Sequence, residues 1–280
     1  MVSATKEQVV IALSGGEIVY FEIDASTASG SDQNALRLVC STKLEHDVAC
    51  FSFRTGSTDP LSDTASCEVR EGAPSAGHQM DITDPDSSDS LFVELQALGK
   101  LLAVGLWTDN TIRLLALPTL QQVSSTALGV DTQVRAVVLS ILEGSAYLLV
   151  GLGDGVLITF SVCLSEGLPV LTDRRSVTLG TRPISLNNFT NAGKSCIFAA
   201  CDRPTVLYPH NGKLMFSIVN IHEVTGMAMF HCEMFPECLA MCSEGGLTIG
   251  SVNEIQKVHI QTFPLGEAPK RLCHCAHEGR

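Results

Sequence analysis

One local shape recurs along this chain and limits what it can fold into. At 101–118, "LLAVGLWTDNTIRLLALP", an apolar run meets a polar knot at Thr108-Asp109-Asn110 and a second apolar run follows. The same shape returns at 148–162, "LLVGLGDGVLITFSV", and at 9–23, "VVIALSGGEIVYFEI". "CIFAACDRPTVLY" and "CLAMCSEGGLTIGSV" repeat it again. Runs of four to seven Val, Ile and Leu, bounded by Gly, Asp or Asn, read as strands rather than helices. Asp154-Gly155 and Gly15-Gly16 suit two-residue hairpin turns, because these residues reach positive φ at low cost.

The spacing then selects the architecture. With Gly15, Asp109, Asp154, Asp202 and Gly245 as turn markers, the steps are 94, 45, 48 and 43 residues. The long first step contains a different kind of segment. Residues 54–97 hold nine Asp or Glu against two Arg, so this window carries −7 of the chain's net −12. It is rich in Ser, Gly and Pro and cannot bury enough apolar surface to offset its ordering entropy. It reads as a disordered acidic insert with a short apolar re-entry at Leu91-Phe92-Val93. Without its 44 residues the first step becomes 50. A period of roughly 40–50 residues with several strands per period is the mark of a β-propeller blade. The expectation is an all-β chain of about five four-stranded blades, a partial propeller. Each hairpin would form the inner part of a blade, sandwiched between its neighbours, and polar connectors such as 119–134 and 163–182 would supply outer strands. Five blades left open would expose apolar faces at both ends, so the chain reads as part of a longer protein.

Composition narrows the function. Eighteen Lys and Arg are scattered among 30 Asp and Glu, which disfavours direct binding of nucleic acid through its phosphates. No apolar run nears the roughly 18 residues of a membrane span, and "MVSATKEQVV" lacks the pattern of a signal peptide. The 11 cysteines are odd in number, and Cys196, Cys201, Cys238 and Cys242 lie in apolar runs, which suits reduced core thiols in an intracellular protein. "CHCAH" at 273–277 has the spacing C-x-C-x-H, which matches no standard zinc pattern, and Cys232 and Cys238 belong to another unit. No cofactor or metal is expected. There is no G-x-S-x-G, H-E-x-x-H or P-loop, and no nucleophile stands beside His46. "GLGDG" at 151–155 lacks the following helix that a phosphate cradle needs.

Several stretches in order carry a family likeness: "GLWTDNTIRLLALP", "LLVGLGDGVLITFSV", "VTLGTRP", "CDRPTVLY", "KLMFSIVN" and "LTIGSVNEIQKVHIQTFPL". Over about residues 8–272, apart from the acidic window, the chain resembles a family of triple-propeller scaffolds. That family joins the large subunit of the damage-specific DNA-binding protein, the adaptor of cullin-4 ubiquitin ligases, with propeller subunits of the polyadenylation specificity factor and of the splicing factor that recognises branch sites. "GLWTD" and "NEIQKVHIQTFPL" favour the adaptor branch. The resemblance implies that residues 1–262 are later blades of the family's second propeller and that 263–280 begin the next. It implies a non-enzymatic scaffold in DNA damage repair, in the nucleus and also the cytoplasm, with a cullin-4-type scaffold and other protein subunits as partners. Nucleic acid would be met only through the full complex, and no membrane is involved. Two other readings are an RNA-processing scaffold and a propeller enzyme with acids or histidines converging on the central channel.

Trp107, the single tryptophan, is a candidate interface anchor with Thr108 and Asp109, since Trp is enriched at binding hot spots. Its alternative is a ring packed between blades. Arg203 in "DRP" could meet a partner carboxylate, although turn chemistry, with Asp202 as cap and Pro204 as brace, accounts for the same residues.

Overall fold

The computed structural model describes residues 2–4, 8–23, 36–53, 100–165, 167–191, 193–221, 223–232, 235–244 and 246–252. The acidic window, Gly245, the 263–280 segment and the Cys273–His277 cluster lie outside them. Among the described residues there are only strands, in five antiparallel sheets. Blade 1 is β1 (Val2–Ala4), β2 (Gln8–Ala12), β3 (Glu17–Ile23) and β4 (Leu36–Lys43). Blade 2 is β5 (Val48–Phe53), β6 (Leu101–Leu106), β7 (Thr111–Ala116) and β8 (Gln121–Ala127). Blade 3 is β9 (Val134–Leu142), β10 (Ser145–Leu152), β11 (Val156–Ser165) and β12 (Leu168–Thr178). Blade 4 is β13 (Ser185–Asn191), β14 (Lys194–Ala200), β15 (Thr205–His210) and β16 (Lys213–Ile218). Blade 5 has three described strands, β17 (Gly226–Cys232), β18 (Phe235–Ser243) and β19 (Gly246–Gly250). In the four-stranded sheets the spatial order follows the chain, as in a propeller blade.

The recurring apolar hairpin is the middle pair of each four-stranded blade, not its inner part as the sequence suggested. A separate first strand lies inside it. These first strands pack against one another from blade to blade, β5 on β9, β9 on β13 and β13 on β17. The hairpin's continuous apolarity follows from burial on both faces. In β6, Leu102, Val104 and Leu106 join Val10, Ile18 and Tyr20 of blade 1. Leu101 and Ala103 turn the other way, into a cluster with Leu148, Val150 and Ile158 of blade 3. Blades 3 and 4 meet through Leu149, Leu157, Ile197 and Leu207, and blades 4 and 5 through Phe198, Val206, Leu239 and Met241. Each fully buried Leu or Ile contributes about 1.5–3 kcal/mol by leaving water. Gly105, inside β6, allows a close approach: a Cβ there would lie 2.8 Å from Val134 Cγ1 at the start of the next blade.

The connectors do supply outer strands, and β8 and β12 are largely exposed. Blade 5 illustrates an uncovered face. Leu239 and Met241 point to blade 4, so their neighbours Ala240 and Cys242 face away, paired with Ile249 and Leu247. Leu247 is 63% exposed. Cys242 is therefore exposed, contrary to its placement among the core thiols. Cys50, Cys196, Cys201 and Cys238 are buried and unbridged. Burial pushes the Cys50 thiol up to about 12 and the Cys196 thiol up to about 11, so both stay protonated.

The ends flanking the acidic window are tied together. Phe53, the last residue of β5, pairs with Leu102 of β6. The window thus leaves and re-enters between two adjacent strand ends, at a position where loop length costs little.

Candidate partner-binding face

In an up-and-down blade, the turn between the second and third strands lies at the same end as the connector to the next blade. Hydrogen bonds join the two at every step. The N–H groups of Leu44, Leu128, Leu179 and Val219, each opening a connector, donate to the carbonyls of Gly16, Asn110, Gly155 and Pro204 at 2.8, 3.1, 2.9 and 2.8 Å. Gly16, Asn110 and Gly155 have φ of 77°, 48° and 83°. The left-handed residue thus aims its carbonyl at the connector.

The turns are longer than expected. Ala12 pairs with Ile18, and the Leu13 N–H reaches the Glu17 carbonyl, so Ser14-Gly15-Gly16 form a three-residue loop. Gly151 pairs with Leu157, which leaves Gly153-Asp154-Gly155 between β10 and β11. The reason is that Asp154 caps its own turn: its Oδ1 accepts from the Val156 N–H at 3.1 Å, and only Gly155 takes positive φ. Asp109 does the same for the Thr111 N–H at 3.2 Å. Between β6 and β7 the loop has four residues, Trp107 to Asn110.

Trp107, Thr108 and Asp109 are all exposed on this face. Trp107 is 36% exposed, and the Arg135 guanidinium of β9 lies 5.8 Å from its ring centroid. The ring therefore leans on the neighbouring blade without being buried in it, a cation–π contact that holds the ring in place. The backbone N–H of Trp107 donates to the Asp47 carbonyl at 3.0 Å, which fixes the root of the loop. Below it, the mostly buried Arg113 guanidinium reaches Glu45 at 3.3 Å and Asp109 at 3.7 Å. The Trp107–Arg135 contact thus faces blade 3, while Arg113, which alternates with Ile112 and Leu114, ties the same turn to the connector from blade 1 through Glu45.

Arg203 is also exposed on this face, in the β14–β15 turn. The structure does not bring it to Trp107, because it stands two blades away. Asp202 caps something other than its own turn. Its two carboxylate oxygens both accept from the Thr181 N–H at 3.0 Å, and Oδ2 accepts from the Thr181 hydroxyl at 3.0 Å, in the connector leading into the blade. Burial pushes the Asp202 carboxyl up, but bonds from Thr181, Arg182 and its own backbone N–H outweigh this and hold it below its ordinary value. Pro204 is buried and its carbonyl receives the Val219 N–H. Nearby, Arg182 bridges to Glu223 at 2.7 Å and to Glu244 at 3.8 Å, linking blades 4 and 5.

The sequence reading missed Arg135 and Arg113. A usable signal existed for Arg135: it is the one charge in the otherwise apolar and small "VRAVVLSIL" strand. His46 lies in the connector that packs on Gly16, and a Cβ on Gly16 would lie 2.7 Å from the His46 carbonyl oxygen. Among the described residues no three His, Cys, Asp or Glu side chains gather as a metal site requires.

With this geometry in place, comparison with known proteins is informative. The RSE1/DDB1/CPSF1 second β-propeller family matches residues 1–252. The chain is 38% identical over 272 residues to DNA damage-binding protein 1 of Oryza sativa subsp. japonica and to DNA damage-binding protein 1b of Arabidopsis thaliana. It is 36% identical over the same length to DNA damage-binding protein 1 of Solanum lycopersicum. Each alignment covers 97% of this chain and 21% of the relative, so the chain spans about a fifth of the length of these proteins. The chain belongs to the RSE1/DDB1/CPSF1 second β-propeller family.

Proposed function

We propose that this chain is a non-enzymatic scaffold segment of an adaptor of the DNA damage-binding protein 1 type, and that its turn-and-connector face grips a cullin-4-type scaffold during ubiquitin ligase assembly. The observation that carries this reading is the exposed Trp107, held over Arg135 on a rim built by backbone bonds between blades. A rigid frame with one projecting aromatic suits a binding hot spot. The identity to DNA damage-binding proteins favours this adaptor over the RNA-processing relatives that share the family. A channel enzyme would draw a set of acids or histidines from the inner strands, whereas β5, β9 and β13 contain no Asp, Glu or His and β17 contains one, His231. On this reading residues 1–262 are later blades of the second propeller, 263–280 lead onward, and the protein works in the nucleus and cytoplasm. Its net charge of −12 fits nucleic acid being met only through partners.

The experiment is affinity capture with the tagged chain from nuclear extract, followed by identification of bound proteins, with Trp107→Ala in parallel. Recovery of cullin-4, reduced in the variant, is the expected result. Recovery of polyadenylation or splicing subunits in its place would overturn the assignment.

A further inference from the structure

We propose that a groove between blades 3 and 4, at the end opposite the Trp107 face, binds a phosphomonoester group. The groove has a volume of about 370 Å³ and is floored by β10, β11 and β12, with the β9–β10 and β15–β16 turns at its mouth. These turns belong to the other end of the blades, so the site is separate from the partner face.

The spaces between blades are otherwise filled by apolar side chains, chiefly Leu, Ile, Val and Phe with Ala, Cys, Met and Tyr20 among them. The face that blade 3 turns to blade 4 departs from this in its outer half. Thr159 stands opposite Arg175, Ser161 opposite both Tyr147 and Thr172, and Ser140 opposite Tyr147. Among the described residues three polar side chains are buried, Ser140, Thr159 and Thr205, and two of them sit on this face. Thr205 spends its hydroxyl on the Arg203 carbonyl at 2.9 Å. Thr159 is only 5% exposed and lines the groove, and its hydroxyl has no hydrogen-bond partner among the described residues. The hydroxyl oxygen is not sealed from solvent and opens onto the groove, where it can donate to a ligand.

The charges point to the ligand's sign. Arg175 and Lys213 line the groove together with Asp173. Asp173 engages Arg175 at Nε (3.3 Å) and Nη2 (2.7 Å), which steadies the guanidinium and leaves Nη1 uncommitted. Lys213 is exposed and makes no ion pair among the described residues. The lining is thus net positive by one charge in a chain of net −12. Two cations with the hydroxyls of Tyr147, Thr159 and Ser161 offer more donors than the two oxygens of a carboxylate can use. A phosphate, with its terminal oxygens and nearly double charge, matches them. Leu214 and the ring of Tyr147, both on the blade 4 side, give the esterified organic part an apolar wall.

The phosphomonoester could belong to a small metabolite or to a phosphorylated side chain. The test titrates the 280-residue chain by calorimetry with inorganic phosphate, phenyl phosphate, benzoate, and a phosphoserine peptide beside its unphosphorylated form. Saturable binding of the phosphate compounds, with benzoate at least tenfold weaker, is expected. Tighter binding of the phosphopeptide than of phenyl phosphate assigns a protein source, and the reverse order a small molecule. Lys213→Glu, at an exposed turn, should weaken binding at least tenfold without moving the melting temperature, and Thr159→Val should weaken it too. Cys163 lines the same groove and is exposed, so bound phenyl phosphate should slow its alkylation while leaving the remote, exposed Cys242 unchanged. No saturable binding, equal binding of benzoate, or Lys213→Glu binding as tightly as the parent would each overturn the proposal.

Discussion

The β6–β7 turn of blade 2 and the β10–β11 turn of blade 3 occupy the same place in successive repeats and are spent differently. Both close with an Asp that caps the turn and a left-handed residue whose carbonyl holds the next connector. In blade 3 the loop is three residues, and its last residue is pressed into its neighbour. A Cβ on Gly155 would lie 2.3 Å from the Gly180 carbonyl oxygen. Gly180 is in turn held by the following blade, since a Cβ there would fall 1.8 Å from Asp202 Oδ1. Gly155, Gly180 and Asp202 therefore latch three successive segments through contacts that admit no side chain. In blade 2 the left-handed residue is Asn110, whose Nδ2 donates to the Val130 carbonyl at 2.9 Å, and the extra loop residue lets Trp107 project. One turn is used up in holding the stack, and the other leaves Trp107, Thr108 and Asp109 exposed.

The largest expected effect lies at the latch. Gly155→Val should cost about 3–5 kcal/mol in urea unfolding, combining strain at a left-handed position with overpacking against backbone. Asn110→Gly, at the equivalent place in blade 2, should stay within about 1 kcal/mol, because relief of the left-handed strain offsets the lost side-chain bond. Equal losses at the two sites would break the comparison.

Trp107→Ala should reverse the ranking. A ring exposed on the rim should cost under about 1 kcal/mol of stability, while cullin binding should weaken by about 2 kcal/mol or more, roughly thirtyfold. A stability loss of about 3–5 kcal/mol would instead show a ring that closes a cavity between blades.

How much of this was legible differs by element. The period was readable because each hairpin is buried on both faces, so β6, β10 and β14 spell their place in plain apolar runs. The inner strands were harder to see: "SLNNFTN" of β13 carries little apolar periodicity because it packs edgewise on its neighbours. The two-residue turns were misjudged because Asp154 seemed free to take positive φ, whereas its carboxylate is committed to Val156. Gly155 at positive φ was foreseen. Trp107 was legible as a candidate, but its support by Arg135, 28 residues on, rests on blade-to-blade packing that no local pattern encodes. The same holds for Asp202, whose real partner Thr181 lies 21 residues upstream in another connector.

Asp202 should show its role through pH. Its folded carboxyl is held below the ordinary value of 3.8, so its contribution is present above the unfolded value and lost as pH falls through the folded one. Asp202→Asn should cost about 1–2 kcal/mol near neutral pH, because an amide cannot accept both Thr181 bonds equally. The gap between parent and variant should begin to narrow as pH falls below the ordinary value of 3.8 and go on narrowing until the folded carboxylate, held lower still, is protonated. A gap that stays constant down to pH 2 would mean that the charge of Asp202 contributes nothing to the latch.

The smallest effect tests what holds the anchor. Arg135 lies over the Trp107 ring from the neighbouring blade, and an exposed cation–π contact contributes about 0.5–1 kcal/mol. Arg135→Ala should lower stability by no more than that, since Arg135 is exposed and the backbone bonds of the Trp107 loop remain. Its consequence for binding should be a loss of order in the ring, seen as a fall in the steady-state fluorescence anisotropy of the single tryptophan and a weakening of cullin binding smaller than that of Trp107→Ala. Arg135→Lys keeps the charge but loses the planar face that stacks on the ring, so it should fall between parent and Ala. If Arg135→Ala leaves the anisotropy unchanged, the ring is held by its own loop alone. The extra residue in the blade 2 turn, rather than the contact with blade 3, would then be what sets this turn apart from the latch beside it.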